Sequence, residues 1–311
     1  MIKNVTVAGG GVLGSQIALQ SAFKGFKVKM WLRTPASIDR AQPKLERLRG
    51  IYKQTLEAMK TDPTAYCRGL APSPDTPAGE LDQLIAQVDV AFDSLVLTTD
   101  LNEAFEDADL VIEAIAEVID EKDAFYTSIK DLLPAQTILC TNSSTLLPSA
   151  MAGFTGRPEK FLALHFANNI WKNNTAEVMG TAQTSPESYQ AVVEFAKAIS
   201  MIPLELKKEQ PGYLLNSMLV PFLNSAEALL ANDVADVETI DKAWMLGTGA
   251  PLGPFRILDI VGLTTAYNIV AASPAAKEEG SVAARIAAML KQRIDEGKTG
   301  INAGEGFYKY N

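Results

Sequence analysis

The chain carries one histidine, His165, in the stretch LALHFANNIWKNNTAEVMG (residues 162–180), between an apolar run and a polar segment that reaches Glu177. Imidazole is the side chain that titrates near neutrality, so a histidine at the end of an apolar run is a candidate proton donor and acceptor. The competing assignment is a hydrogen-bonded core residue, the commoner fate of a lone histidine among apolar neighbours. A second constellation lies at the start of the chain. Gly9, Gly11 and Gly14 form G-x-G-x-x-G within NVTVAGGGVLGSQIALQSAFKGF. In a dinucleotide site the first glycine allows a tight turn and the second lets a pyrophosphate approach the backbone. The third lets helix and strand pack closely, with the helix N-terminus facing the phosphates. The competing assignment here is a purely structural turn.

The elements around the glycines favour the dinucleotide reading. Val5 to Ala8 is a short β-branched run, Val12, Ile17, Ala18 and Phe23 recur at helical spacing, and Gly25 ends that helix. KVKMWL follows as a second strand, which completes a parallel βαβ unit. NAD-binding units usually end the second strand in Asp or Glu, which bonds the ribose hydroxyls. Here that position is Leu32, followed by Arg33 and Thr34, with no carboxylate before Asp39. A forked guanidinium beside a hydroxyl suits a 2′-phosphate. The expected cofactor is therefore NADP(H) in preference to NAD(H).

Further along, residues 36 to about 94 read as helical, broken by the Pro-rich loop TDPTAYCRGLAPSPDTPAGE. Apolar runs return in SLVLTT, ADLVIEAI, QTILCTNSS, FLALHFAN, TAEVMGT and MIPLEL, separated by helical stretches such as DEKDAFYTSIKDLL. That alternation continues a parallel sheet. SPESYQAVVEFAKAI is a capped helix with Ser185 as N-cap and Pro186 in its first turn. After Gly212 the strand signal fades, and Asp236 with Glu238 favours a helix start. The expected architecture is α/β: a doubly wound, Rossmann-type parallel-sheet domain over residues 1–206, then an all-helical domain over 207–311.

Composition narrows the function classes. The 311 residues are 47% hydrophobic and 21% charged, with a net charge of −9. An acidic balance argues against nucleic acid or an anionic membrane as the main partner. Cys67 and Cys140 make neither a metal spacing nor a disulfide framework, and no metal site is expected. No apolar run approaches the roughly eighteen residues needed to span a bilayer, and the N-terminus lacks the features of a signal peptide. The expected location is the reducing cytoplasm. LLNSMLVPFLNSAEALL and FRILDIVGLTTAYNIVAA carry more apolar surface than a region of about a hundred residues easily buries alone, so a homodimer through the helical domain is expected.

Taken together, these motifs resemble the 3-hydroxyacyl-CoA dehydrogenase family over nearly the whole chain. VAGGGVLGSQIA is similar to its nucleotide loop, ADLVIEAIAEVIDEK to its segment after the fourth strand, and TNSSTLLPS to its Asn-Thr-Ser-Ser turn. RPEKFLALHFAN is similar to its His-Phe-Phe-Asn-Pro motif and GYLLNSMLVPFLNSA to its Gly-Phe-Ile-Val-Asn-Arg helix. GTGAPLGPFRILDIVGL and GEGFYKY resemble its C-terminal signatures. Within the family, GVLGSQIALQSAF, TNSSTLLPS and HFANNIWKNNTAEVMGT look closest to the diketoreductase branch, which reduces small β-dicarbonyl compounds.

The resemblance implies that His165 is the general acid/base, that Glu177 orients it, and that Ser144 and Asn216 hold the reacting oxygen. It implies a cofactor bound along Gly9, Gly11, Val12, Leu13 and Gly14, with Arg33 and Thr34 at its adenosine end and Glu117, Lys122 and Asn142 lining it. The chemistry is consistent with those roles. Carbonyl reduction leaves charge on oxygen, a proton donor must answer it, and preorganised donors on that oxygen contribute about 3 kcal/mol each. The implied reaction interconverts 3-hydroxy and 3-keto compounds. An acyl-CoA substrate competes with a free β-keto or diketo acid or ester. A non-catalytic nucleotide-binding protein and an oligomeric scaffold are the alternatives outside catalysis.

Departures from the pattern bear on that choice. Ala167-Asn168-Asn169 replaces the family's Phe-Asn-Pro, and relatives in the diketoreductase branch that use NADH keep an Asp where Leu32 stands. The helix PKLERLRGIYKQT offers Lys44, Arg47, Arg49 and Lys53 to CoA phosphates, or merely a solvated face. The approach to GEGFY is changed to GKTGINAGEGFY.

Overall fold

The computed structural model describes residues 2–310. Its first compact unit ends at Leu214 and its second begins at Leu215. The change of character read at 206/207 falls short of this division because Tyr213 and Leu214 remain tied to the strands of the first unit.

The first unit is built on an eight-stranded sheet. Its strands are β1 (Asn4–Ala8), β2 (Lys27–Trp31), β3 (Val96–Thr98), β4 (Leu110–Glu113), β5 (Ile138–Thr141), β6 (Phe161–Phe166), β7 (Thr175–Gly180) and β8 (Ile202–Leu206). They lie in the order β3-β2-β1-β4-β5-β6-β7-β8. The sequence runs that read as strands all fall within it. Helices α1 (Val12–Phe23), α2 (Pro35–Ala58), α3 (Ala78–Asp93), α4 (Leu101–Phe105), α5 (Ile119–Ile129) and α6 (Pro186–Ala198) connect them. The central strands β4, β5 and β6 are buried at every position, as a sheet covered on both faces requires. Cys140 is one of those buried residues. The chain builds outward from β1 in one direction and resumes at β4 in the other. The carboxyl ends of β1 and β4 therefore flank a topological switch point, where α/β sheets bind ligands.

Two strands depart from the parallel reading. β7 runs antiparallel to β6 and β8 lies parallel to β7, so both run against the first six strands. Parallel neighbours need a crossover of about a dozen residues or more. The link 167–174 is too short for one, and Asn169 turns it with φ 61°. The register sets His165 directly opposite Glu177.

Capping follows the sequence. The Ser185 side chain accepts from Ser188 N at the start of α6, and Thr34 accepts from Ser37 N at the start of α2.

The second unit holds most of α7 (Tyr213–Ala231), then α8 (Val237–Thr248), α9 (Pro254–Val261), α10 (Leu263–Ala271) and α11 (Val282–Asp295). Asp236 caps α8 through Thr239 N. Leu223, Ile240, Phe255, Leu258, Leu263 and Leu290 form its core. Two buried aspartates replace strands as its ties. Asp241 accepts from Phe255 N and the Tyr308 hydroxyl, and Asp259 from Phe307 N, Tyr308 N and the Tyr310 hydroxyl. They clamp the C-terminal GEGFYKY, where isolated bridges join Gly300 to Glu305 and Glu305 to Lys309. Contrary to expectation, α7 is long and apolar enough to cross a membrane by length and composition. Asn216, Asn224 and Glu227 interrupt it, so an unbroken apolar run is still missing.

Candidate active site

The glycine turn sits where β1 meets α1. Gly9 has φ 115°, and a Cβ there would lie 2.4 Å from the Ala114 carbonyl oxygen. A Cβ on Gly14 would lie 2.1 Å from the Gly9 carbonyl oxygen. Both glycines are demanded by the fold itself. Gly11 is different: a Cβ there would meet nothing within 4 Å. The fold itself leaves room for a side chain at that position. Gly11 caps α1, whose first turn carries no acidic residue to offset the helix dipole. A cavity of about 320 Å³ opens on this turn. Gly11, Val12, Leu13 and Gly14 line one side of it, and Glu117, Lys122, Asn142 and Ser144 the other. An exposed helix N-terminus, a bare glycine and a cavity at the switch point fit the pyrophosphate of a dinucleotide.

A buried charge network supports the far wall. Glu113 ends β4 fully buried and accepts from Lys122 Nζ at 2.6 Å, Ile115 N at 2.8 Å, Thr141 Oγ1 at 2.8 Å and Tyr126 Oη at 3.2 Å. Lys122 also lies 3.5 Å from Glu117. Glu117 accepts from Ser143 Oγ at 2.5 Å, Ser144 N at 3.0 Å, Thr145 N at 2.9 Å and Thr145 Oγ1 at 2.8 Å. Burial works to raise its carboxyl, but the hydrogen bonds from Ser143 and Thr145 and the Lys122 charge outweigh it and hold the group at about 2. The stability it contributes is present above its ordinary range and lost only as pH falls through that depressed value. Glu117 thereby fixes the turn that carries Ser144.

Ser144 joins this wall to the histidine. Its Oγ lies 3.1 Å from His165 Nε2, and His165 Nδ1 lies 2.8 Å from Glu177 Oε2. His165 and Glu177 are both buried. The second oxygen of Glu177, Oε1, accepts from Leu214 N at 2.8 Å. The Tyr213 ring stacks on the imidazole, with centroids 4.5 Å apart and planes 21° from parallel. Asn142, one turn from Ser144, accepts from Phe166 N and ties the serine turn to the end of β6.

Ser144, His165 and Glu177 thus form one hydrogen-bonded line. Asn216 lies on α7 in the second unit. Thr34 Oγ1 is engaged at the α2 cap with Ser37, whose Oγ also accepts from Arg40. Arg33 does not stand clear of carboxylates, as the sequence suggested. Its Nη2 lies 2.5 Å from Glu121 Oε2, on the first turn of α5 and 88 residues away. Of the basic residues on α2, Arg49 and Lys53 both pair with Asp89 on α3, and Lys44 donates to the Gly10 carbonyl. Sequence reasoning missed Glu113, Glu121 and Tyr213. Glu113 carried a signal, a carboxylate inside an otherwise apolar strand; the other two carried none. Among the described residues, no cluster could hold a metal ion.

Comparison with known proteins covers the whole chain. Residues 4–210 match the family model of the 3-hydroxyacyl-CoA dehydrogenase NAD binding domain, and residues 212–310 match that of the C-terminal domain of the same family. The mitochondrial hydroxyacyl-coenzyme A dehydrogenase of Homo sapiens is 31% identical over 312 residues, covering 100% of this chain and 92% of that protein. A probable 3-hydroxybutyryl-CoA dehydrogenase of Deinococcus radiodurans is 31% identical over 305 residues, covering 98% and 99%. A diketoreductase, described as acting on dicarbonyl compounds, has a solved structure that is 50% identical with a TM-score of 0.85, covering 99% of each chain.

The contrast between the glycines is testable. Gly14→Ala forces backbone apart and is expected to cost about 1–3 kcal/mol of stability. Gly11→Ala is expected to leave the melting temperature unchanged while weakening dinucleotide binding about tenfold or more, read as Kd by fluorescence titration.

Proposed function

The chain belongs to the 3-hydroxyacyl-CoA dehydrogenase family, and we propose that it acts there as a reductase of small β-keto and diketo compounds, with His165 as general acid and base. Membership makes it a nicotinamide-dependent oxidoreductase. The observation that carries the catalytic reading is the Ser144–His165–Glu177 line beside the glycine-loop cavity. The nicotinamide, when bound, supplies the hydride or accepts it. Nδ1–H donates to Glu177, which fixes the tautomer and supports the imidazolium. Nε2 then faces Ser144 and can give its proton to an oxygen that gains charge, or take one back in the reverse direction. The Ser144 hydroxyl donates to the same oxygen.

Two observations favour a small dicarbonyl substrate over an acyl-CoA. One is the 50% identity with the diketoreductase. The other is Asp89, which pairs with both Arg49 and Lys53, two of the four basic residues that α2 offers to a CoA phosphate. Initial rates with acetoacetate, a diketo ester and acetoacetyl-CoA test the choice, and a clear preference for acetoacetyl-CoA would reverse it. His165→Gln is expected to lower turnover by at least about 10²-fold with cofactor affinity nearly unchanged. Near-normal turnover would return His165 to a structural role.

We also propose that NADPH is preferred to NADH. Leu32 is buried against the glycine loop and no carboxylate replaces it on β2, while Arg33 is exposed. Glu121 moderates the preference. An exposed ion pair contributes about 0–1 kcal/mol, whereas a charged hydrogen bond to a phosphate contributes about 1.5–3 kcal/mol, so the guanidinium gains by exchanging one for the other. The expected advantage in kcat/KM is about tenfold. Arg33→Ala should erase it and Glu121→Gln should widen it, while equal or better efficiency with NADH would contradict it.

Finally, we propose a homodimer through the helical unit. Met218, Leu215 and Leu229 on α7 and Ile260 on α9 leave apolar surface exposed in a single copy. Sedimentation at micromolar concentration should give a dimer, and a monomer would rule it out.

A further inference from the structure

The backbone at the start of α7 is unusual. Tyr213 has φ 54°, in the left-handed region, and Gly212 before it has φ 76°. A glycine adopts that region freely, but a bulky aromatic rarely does, and such strain persists only where surrounding contacts over-determine it. Two contacts here require it. The turn lays the Tyr213 ring flat on the His165 imidazole, and it aims the next backbone N–H, that of Leu214, at Glu177 Oε1. The ring is almost wholly buried, at 1% exposure, beside Ala163, Met179 and Leu206 from β6, β7 and β8. Adjacent residues of one turn therefore grip both members of the His165–Glu177 pair.

We propose that Tyr213 is a positioning residue that sets the plane of the His165 imidazole, a role that rests on the acid–base reading of His165. The two hydrogen bonds of the imidazole, to Glu177 and to Ser144, lie along its edge. They fix where Nδ1 and Nε2 point. They resist a roll of the ring about the line joining the two nitrogens only weakly. A flat aromatic surface against one face removes that freedom. It also places electron density against an imidazole that must carry a positive charge before it gives up its proton. The hydroxyl of Tyr213 is not needed for either effect; the ring is.

The test uses the intact enzyme and three variants: Tyr213→Phe, Tyr213→Leu and His165→Gln. Tyr213→Leu is expected to lower kcat about tenfold or more, with substrate KM and cofactor Kd changed by less than about twofold. Tyr213→Phe is expected to restore kcat to within about twofold of the unaltered enzyme. Because the chain has one histidine, its imidazole proton resonances are unambiguous. They should be shifted upfield by the stacked ring in the unaltered enzyme and in Tyr213→Phe, and move back toward free imidazole in Tyr213→Leu. Unaltered kcat in Tyr213→Leu, or a loss in Tyr213→Phe as large as in Tyr213→Leu, would overturn the proposal. So would the absence of an upfield shift in the unaltered enzyme, a measurement that needs no variant to fold. Full turnover in His165→Gln would instead overturn the acid–base reading beneath it.

Discussion

His165 and Glu177 face each other because β6 and β7 run antiparallel in a sheet that is otherwise parallel around them. In antiparallel pairs, residues directly opposite carry their side chains on the same face at close range. The pairing therefore delivers a carboxylate to an imidazole nitrogen without any special loop. Both strands are buried on both faces over this region, so a slip of one residue would exchange the side chains packed on the two faces and put the pair on opposite sides of the sheet. Register and chemistry are consequently fixed by the same packing. The serine turn after β5 and the tyrosine turn before α7 then close on the pair from two other directions.

Buried charge imposes the second constraint. Glu113, Lys122 and Glu177 sit where an isolated ion would be costly, and each has partners that offset the loss of water. Glu113 alone receives four hydrogen bonds, from the turn after β4, from α5 and from β5. Glu117 repeats the device at the next turn and holds the backbone N–H groups of Ser144 and Thr145. The wall that faces the glycine-loop cavity is thus assembled from ion pairs rather than from packing alone. A wall of that kind keeps Ser144 in place while the cavity beside it stays open.

Much of this was legible from residue order. The βαβ unit, the glycine turn, the caps at Ser185 and Asp236 and the strand carrying His165 follow from local patterns, each set by interactions within a few residues. What escaped was non-local or conformational. The reversal of β7 depends on the shortness of the link after Ala167, which alternation of apolar runs does not report. The Arg33–Glu121 pair joins residues from two crossovers on opposite sides of β1, and no periodicity connects them. Tyr213 reads as the first residue of an apolar helix. Its left-handed backbone, and hence its place on the imidazole, emerges only once the strands are assembled.

The central claim is that His165 exchanges a proton with the substrate oxygen. A crystal structure of the enzyme with cofactor and an unreactive dicarbonyl analogue tests it most directly. The account predicts a carbonyl oxygen within about 2.6–3.2 Å of His165 Nε2 and within reach of Ser144 Oγ, with Nδ1 still on Glu177. An analogue bound in the cavity with its carbonyl oxygen remote from Nε2, and His165 still capped by Ser144, would contradict it.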